Sequence, residues 1–152
     1  MSADISPYIA WSCCLYNLLR DAERDGLLSI EGQLDPKACE TTFHRHPLTL
    51  EQPYRDFAAD LLSLPLGGLL DQEVLELYAE RYTQSLSRQG VEFDEGLLRM
   101  ITTTVVAWTT TDMSPSVACE FGRLEMPYET RPSANELFDL LRKDRRTQAA
   151  AE

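Results

Sequence analysis

No apolar run in this chain is long enough to cross a bilayer. The longest, "LLSLPLGGLL" over 61–70, is broken by Pro65, Gly67 and Gly68, whereas a spanning helix takes about 20 apolar residues in succession. Positive charge is scarce too: 14 Lys and Arg stand against 25 Asp and Glu, a net charge of −11. Nucleic-acid phosphates need a basic surface, so this balance argues against them as the partner. An acidic chain more often meets a basic protein surface or simply stays soluble. The opening "MSADISPYIAW" has no basic segment followed by an apolar one, so no secretory leader is expected. Four cysteines (Cys13, Cys14, Cys39 and Cys119) follow no regular pairing pattern. They read as reduced, buried thiols of a cytoplasmic protein.

What is present is helical pattern. At 152 residues and 43% apolar content, the chain can bury one domain-sized core. Ser6-Pro7 is a cap followed by proline at the first helical position, and the apolar spacing predicts a helix to about Asp25. "LLSIEGQLDP" reads as a short second helix ended by Gly32 and Pro36. Residues 35–50 read as irregular, with the next helix starting at Thr49 or Leu50 and carrying Pro53 in its first turn. Asp71 caps a further helix whose expected apolar stripe is Val74, Leu77, Tyr78, Tyr82 and Leu86, stopped at Gly90.

Asp94 opens a helix through Leu97, Leu98, Ile101, Val105 and Trp108. The β-branched run "ITTTVVAWTTT" could form a strand but has no partner strand elsewhere. Ser114-Pro115 repeats the cap-and-proline device. Ser133 with Glu136 forms a capping box ahead of Leu137, Leu140 and Leu141. The expected class is all-α, a compact bundle of about five to seven helices in one domain over 1–146, with 147–152 as a flexible tail and "RKDRRTQAAAE" solvated.

Enzyme chemistry finds little footing. Cys39, His44 and His46 have metal-ligand side chains, but their C-x4-H-x-H spacing matches no zinc pattern and no fourth ligand is evident. Cys13 and Cys119 lack the neighbouring His and positive setting that a nucleophilic thiol needs. Gly67-Gly68 has no following Lys-Ser or Lys-Thr to make a phosphate loop. The expectation is no catalysis, no cofactor and no metal.

Two stretches are more specific. "SPSVACEFGRLEMPYETRPSANEL" resembles the C-terminal cytoplasmic segment of MotA, the ion-channel subunit of the bacterial flagellar stator, within the MotA/TolQ/ExbB proton channel family. The matching residues are Pro115, Val117, Ala118, Glu120, Phe121, Gly122, Arg123, Arg131, Pro132, Ser133, Glu136 and Leu137. "LYNLLRDAERDGLLSIEGQLDP" is similar to that family's cytoplasmic segment between the second and third membrane helices. It matches at Leu15, Leu18, Ala22, Arg24, Gly26, Leu27, Leu28 and Glu31, with Asp35-Pro36 as the turn. Residues 50–89 fit the remaining cytoplasmic helices by pattern alone.

The resemblance implies a helical fold of the stator's cytoplasmic domain and contact with the rotor protein FliG through charged residues of the first stretch. Glu31 holds the acidic position. The basic position eight residues earlier is Glu23 here, with Arg24 beside it. Glu120 and Arg123 are one helical turn apart and can pair with each other or with a neighbouring helix. Arg131, ahead of Pro132, is expected to be extended and displayed. All four membrane helices of a MotA are missing, with "GVEFDEGL" over 90–97 where two would be inserted. The implied function is therefore protein–protein contact at the flagellar motor, in the cytoplasm or recruited to the inner membrane, without ion conduction. Arg24, Glu31, Glu120, Arg123 and Arg131 are the candidate partner-binding residues. FliG or membrane stator subunits are the partners, and the protein itself is a monomer or weak dimer. Two other readings are a stator cytoplasmic domain from which the membrane helices were deleted, and a metal-binding regulator on the same scaffold.

Overall fold

A computed structural model describes residues 6–38 and 41–151 of the chain. Six α-helices form the body: α1 Pro7–Asp25, α2 Tyr54–Leu66, α3 Gln72–Arg88, α4 Glu95–Thr111, α5 Pro115–Arg123 and α6 Ala134–Ala151. Short 3-10 segments, Leu27–Leu34, Thr42–Arg45, Pro47–Leu50 and Tyr128–Thr130, connect them. No strand occurs among the described residues, so the class is all-α as expected. The β-branched run is helical, as α4. Its Thr102, Thr104, Thr110 and Thr111 hydroxyls donate to carbonyls four residues back, which satisfies them within the helix itself.

Local capping chemistry sets most helix starts. Ser6, Asp71, Asp94 and Ser114 each accept a backbone N–H from the first turn. Ser133 Oγ accepts from the Glu136 N–H while the Glu136 carboxylate accepts from the Ser133 N–H, closing the expected box. Gly90 has φ +73 at the end of α3, a left-handed turn that ends helices with glycine at little cost.

Helix α1 runs through the middle. Trp11, Leu15, Leu18 and Leu19 are fully buried, and so are the polar side chains of Ser12 and Asn17. Helices α4, α5 and α6 and the first three 3-10 segments pack around it. The tightest crossing is α4 on α5, where a Cβ added at Gly122 would collide with Thr104 Oγ1 and meet the Met100 side chain and carbonyl. Glycine is needed there for close approach rather than for backbone freedom.

Several expectations are corrected. Residues 27–34 form a 3-10 segment that runs through Gly32 instead of an α-helix stopped by it. Ser29 Oγ donates to the Gly26 carbonyl at its start. Thr49 and Leu50 do not begin α2, because Thr49 Oγ1 is tied backwards to the Phe43 and His46 carbonyls. Helix α2 starts at Tyr54 with Pro53 as its cap residue. Arg55 fixes this junction: it is buried, lies 4.2 Å from the Phe43 ring centre, and donates to the Gln33 and Asp35 carbonyls.

In α3 the buried side is Leu75, Ala79 and Leu86 with Tyr78 and Tyr82 partly covered, while Val74 and Leu77 face outwards. In α6, Leu140 is exposed where burial was expected. Nor is the C-terminal segment merely solvated. Asp144 accepts from the Asn17 amide, and Arg145 donates to Asn17 and pairs with Asp21 at 2.8 Å. A buried asparagine needs such partners, and α6 supplies them.

Gly122→Ala tests the α4–α5 contact. Alanine alone would favour a helix by about 1 kcal/mol, whereas overpacking costs about 1–3 kcal/mol. Net destabilisation in urea unfolding is expected, and adding Thr104→Ala should recover part of it. A more stable Gly122→Ala protein would refute the close approach.

Candidate functional site: the corner between α5 and α6

The stretch from Ser114 to Leu137 folds as helix, turn and capped helix. Ser114 caps α5, and α5 lays Ala118 and Cys119 onto α1, where the Cys119 thiol donates to the Ser12 carbonyl at 3.8 Å. On its other side α5 carries Glu120 and Arg123. They form the pair that their spacing suggested: Arg123 Nε and Nη2 both bind the Glu120 carboxylate, the latter at 2.6 Å. Bidentate geometry of this kind is the strongest form of such a pair. The hydrogen bonds to Glu120 raise the Arg123 pKa further, which keeps it charged at any working pH. Arg123 Nη1 also donates to the Pro132 carbonyl at 3.2 Å, which ties α5 to the start of α6.

Arg131 meets half of its expectation, with an extended backbone at φ −66 and ψ 124 ahead of Pro132. Its side chain is not displayed to solvent but turns back, donating to the Leu124 carbonyl at 2.8 Å and twice to the Met126 carbonyl. Carbonyls at a helix end lack intrahelical partners, and a guanidinium within reach satisfies them. Arg131 is thus a positioning residue for the turn. Burial of Met126 beneath it closes the corner.

Between α5 and α6 a groove of about 320 Å³ opens, lined by Val117, Leu137, Phe138 and Leu141 with Ser116, Glu120, Ala134 and Asn135 along its edges. Arg142 lies over the Phe138 ring at 3.8 Å from its centre. Val117 and Phe121 are exposed beside it. An open apolar floor with one fixed carboxylate at the rim suits a side chain or helix of another protein. It lacks the convergent polar groups that orient a small substrate.

Arg24 and Glu31 belong elsewhere, in the last turn of α1 and the 3-10 segment after it, and both are exposed. Arg24 is held against two carboxylates, Asp21 at 3.5 Å and Asp25 at 3.0 Å. Glu23 has a fold role: its carboxylate accepts from Trp108 Nε1 at 3.3 Å, joining the ends of α1 and α4. Sequence reasoning could not foresee that contact between residues so distant along the chain.

The second cluster with chemical potential is a small cavity of about 50 Å³ lined by Cys13, Cys14, Asn17, Arg45, His46 and Asp144, among others. Burial pushes the Cys13 thiol up to about 12, with Asp144 adding to the shift and Arg45 opposing it. Cys14 is raised further, chiefly by burial. Burial likewise takes Cys119 to about 12, against the opposing hydrogen bond to Ser12. These thiols are protonated at neutral pH and are poor nucleophiles. His46 Nδ1 accepts from the Leu48 N–H and His44 Nδ1 bonds Thr41 Oγ1, so each imidazole serves a turn. Cys39, the third member of the C-x4-H-x-H trio, lies outside the described residues. Among those residues, no group of three or more His, Cys, Asp and Glu side chains could hold a metal ion. Nor is any helix among them long and apolar enough to cross a membrane.

Comparison of the chain with protein-family models, with curated proteins and with solved structures finds no match.

The thiols set a pH limit on the fold. Their folded pKa values are raised above the ordinary 9.0, so their stabilising contribution is complete below that value and is lost as the pH climbs towards 12. Tyr8 and Tyr82, raised by burial and by donating to Asp94 and Asp60, act in the same direction. Unfolding free energy measured in urea should therefore fall steadily from pH 9 to 12. In parallel, Cys119 should be alkylated at neutral pH only on unfolding. Rapid labelling of Cys119 in the native protein would contradict its burial.

Proposed function

We propose that this protein is a non-enzymatic interaction module of the flagellar motor stator family, docking a stator or rotor component through the α5–α6 corner and conducting no ions. The observation that carries this reading is the open apolar groove beside the pinned Glu120–Arg123 pair, in the stretch where the resemblance to MotA is most specific. Its two resembling stretches also pack on one another, α5 on α1, so they form one continuous body. No helix among the described residues is able to span a bilayer, and contact is the action this reading gives the body.

Charge supports the choice of partner class. A net −11 favours encounter with a basic patch and makes the association salt-dependent. Arg24 and Glu31 are both exposed, which fits a rim contact. Asp21 and Asp25 beside Arg24 dilute its positive charge, so the rotor contact of the first stretch is weaker than the groove contact in this reading. Arg131 contributes by holding the corner in shape.

The test is a pull-down of the full chain against the C-terminal domain of FliG and against detergent-solubilised stator, at low and high salt, with Val117→Glu as the groove variant. Salt-sensitive capture of either component that the variant abolishes is the expected result. Retention of the rotor domain would assign a docking role, and of the stator alone an assembly role. Capture of neither would end the motor assignment.

A further inference from the structure

Helix α3 carries more apolar surface than its fold uses. Its inner face, Leu75, Ala79, Tyr82 and Leu86, is committed to the core and to the edge-on contact of Tyr82 with Phe57. Val74 and Leu77 point the other way, 41% and 49% exposed, and Leu70 just ahead of the Asp71 cap is 54% exposed. Val74 and Leu77 stand one turn apart on the helix, and Leu70 precedes its extended Asp71 cap.

These side chains are set in negative charge. Glu73, Glu76 and Glu80 run along one flank, and all three are exposed. Across Tyr78 and Tyr82 lie the exposed carboxylates of Asp56 and Asp60 on α2, Asp60 accepting from the Tyr82 hydroxyl at 3.0 Å. Asp71 closes the N-terminal end, where it caps the Glu73 and Val74 N–H groups. The nearest basic side chain along the helix is Arg81, which donates to Gln84.

We infer that the outer face of α3 is a second docking surface, for a basic amphipathic helix of another protein. An apolar edge with anchors one turn apart matches Val74 and Leu77 in spacing, with exposed Leu70 just ahead of them. Lys and Arg on either side of that edge reach the two acidic flanks. A second copy of this chain fits less well, because it would set the same carboxylates against their equivalents, with Arg81 and Arg88 the basic residues of that helix. An anionic membrane surface is repelled for the same reason. Each rim charge contributes little alone, so the carboxylates act together, chiefly on encounter rate and specificity. This surface stands independently of the motor assignment.

The test uses the full chain and a synthetic 14-residue helix of Leu and Lys with its leucines on one face, titrated by fluorescence anisotropy. Micromolar binding that weakens at least tenfold in V74S/L77S, and again in E73Q/E76Q/E80Q, is expected, with Leu140→Ser on α6 as an unaffected control. Because every substituted side chain is exposed, circular dichroism should be unchanged. Three results would overturn the inference: equal binding by the double variant, equal binding of a Leu/Glu helix, or sedimentation showing a dimer that V74S/L77S dissociates. The last would give the face to a second copy.

Discussion

The burial of α1 governs this fold. A helix covered on most of its circumference cannot be partnered by one neighbour, so α4, α5, α6 and the 3-10 segments are all drawn to it. Its apolar residues, Trp11, Leu15, Leu18 and Leu19, would accept many arrangements of those neighbours, because hydrophobic burial has no direction. Asn17 does not. Buried on the same helix, it needs a donor and an acceptor in fixed places, and Arg145 and Asp144 provide them. The Asp21–Arg145 pair repeats the constraint one turn further on. The position of α6, and with it one wall of the α5–α6 groove, follows from a polar requirement in the core.

The helices were legible where the signal is local. Ser6-Pro7, Asp71, Asp94, Ser114-Pro115 and the Ser133–Glu136 box each act within a single turn, and each appears where the pattern places it. The Glu120–Arg123 pair was legible for the same reason. Residues 27–50 were not, since their 3-10 turns depend on distant groups: Arg55 reaching back to the Gln33 and Asp35 carbonyls, and Gln33 accepting from the Thr42 N–H. Arg131 was misjudged because its backbone was considered without the unfilled carbonyls of Leu124 and Met126. Helix α3 was ambiguous in principle. With apolar residues on two opposite faces, periodicity cannot say which one the core takes.

The two surfaces of interest differ in kind. The α5–α6 groove is concave, and its rim is held rigid by Arg123 bridging Glu120 and the Pro132 carbonyl. The face of α3 is convex, and its exposed Glu76 and Glu80 are bonded, among the described residues, only to glutamines of the same helix. A preorganised concavity loses little entropy on binding, whereas a charged ridge mainly accelerates encounter. If both proposals hold, the α3 ridge would guide a partner and the α5–α6 groove would grip it.

The two tryptophans occupy opposite environments. Trp11 is sealed in the core against Phe43, and Trp108 is half-exposed with its ring nitrogen on Glu23. Their fluorescence therefore separates by quenching: acrylamide reaches Trp108 in the native state and Trp11 only after the core opens. The molecule carries one reporter of where α1 meets α4 and another of global integrity, distinguishable in a single emission spectrum without any added dye.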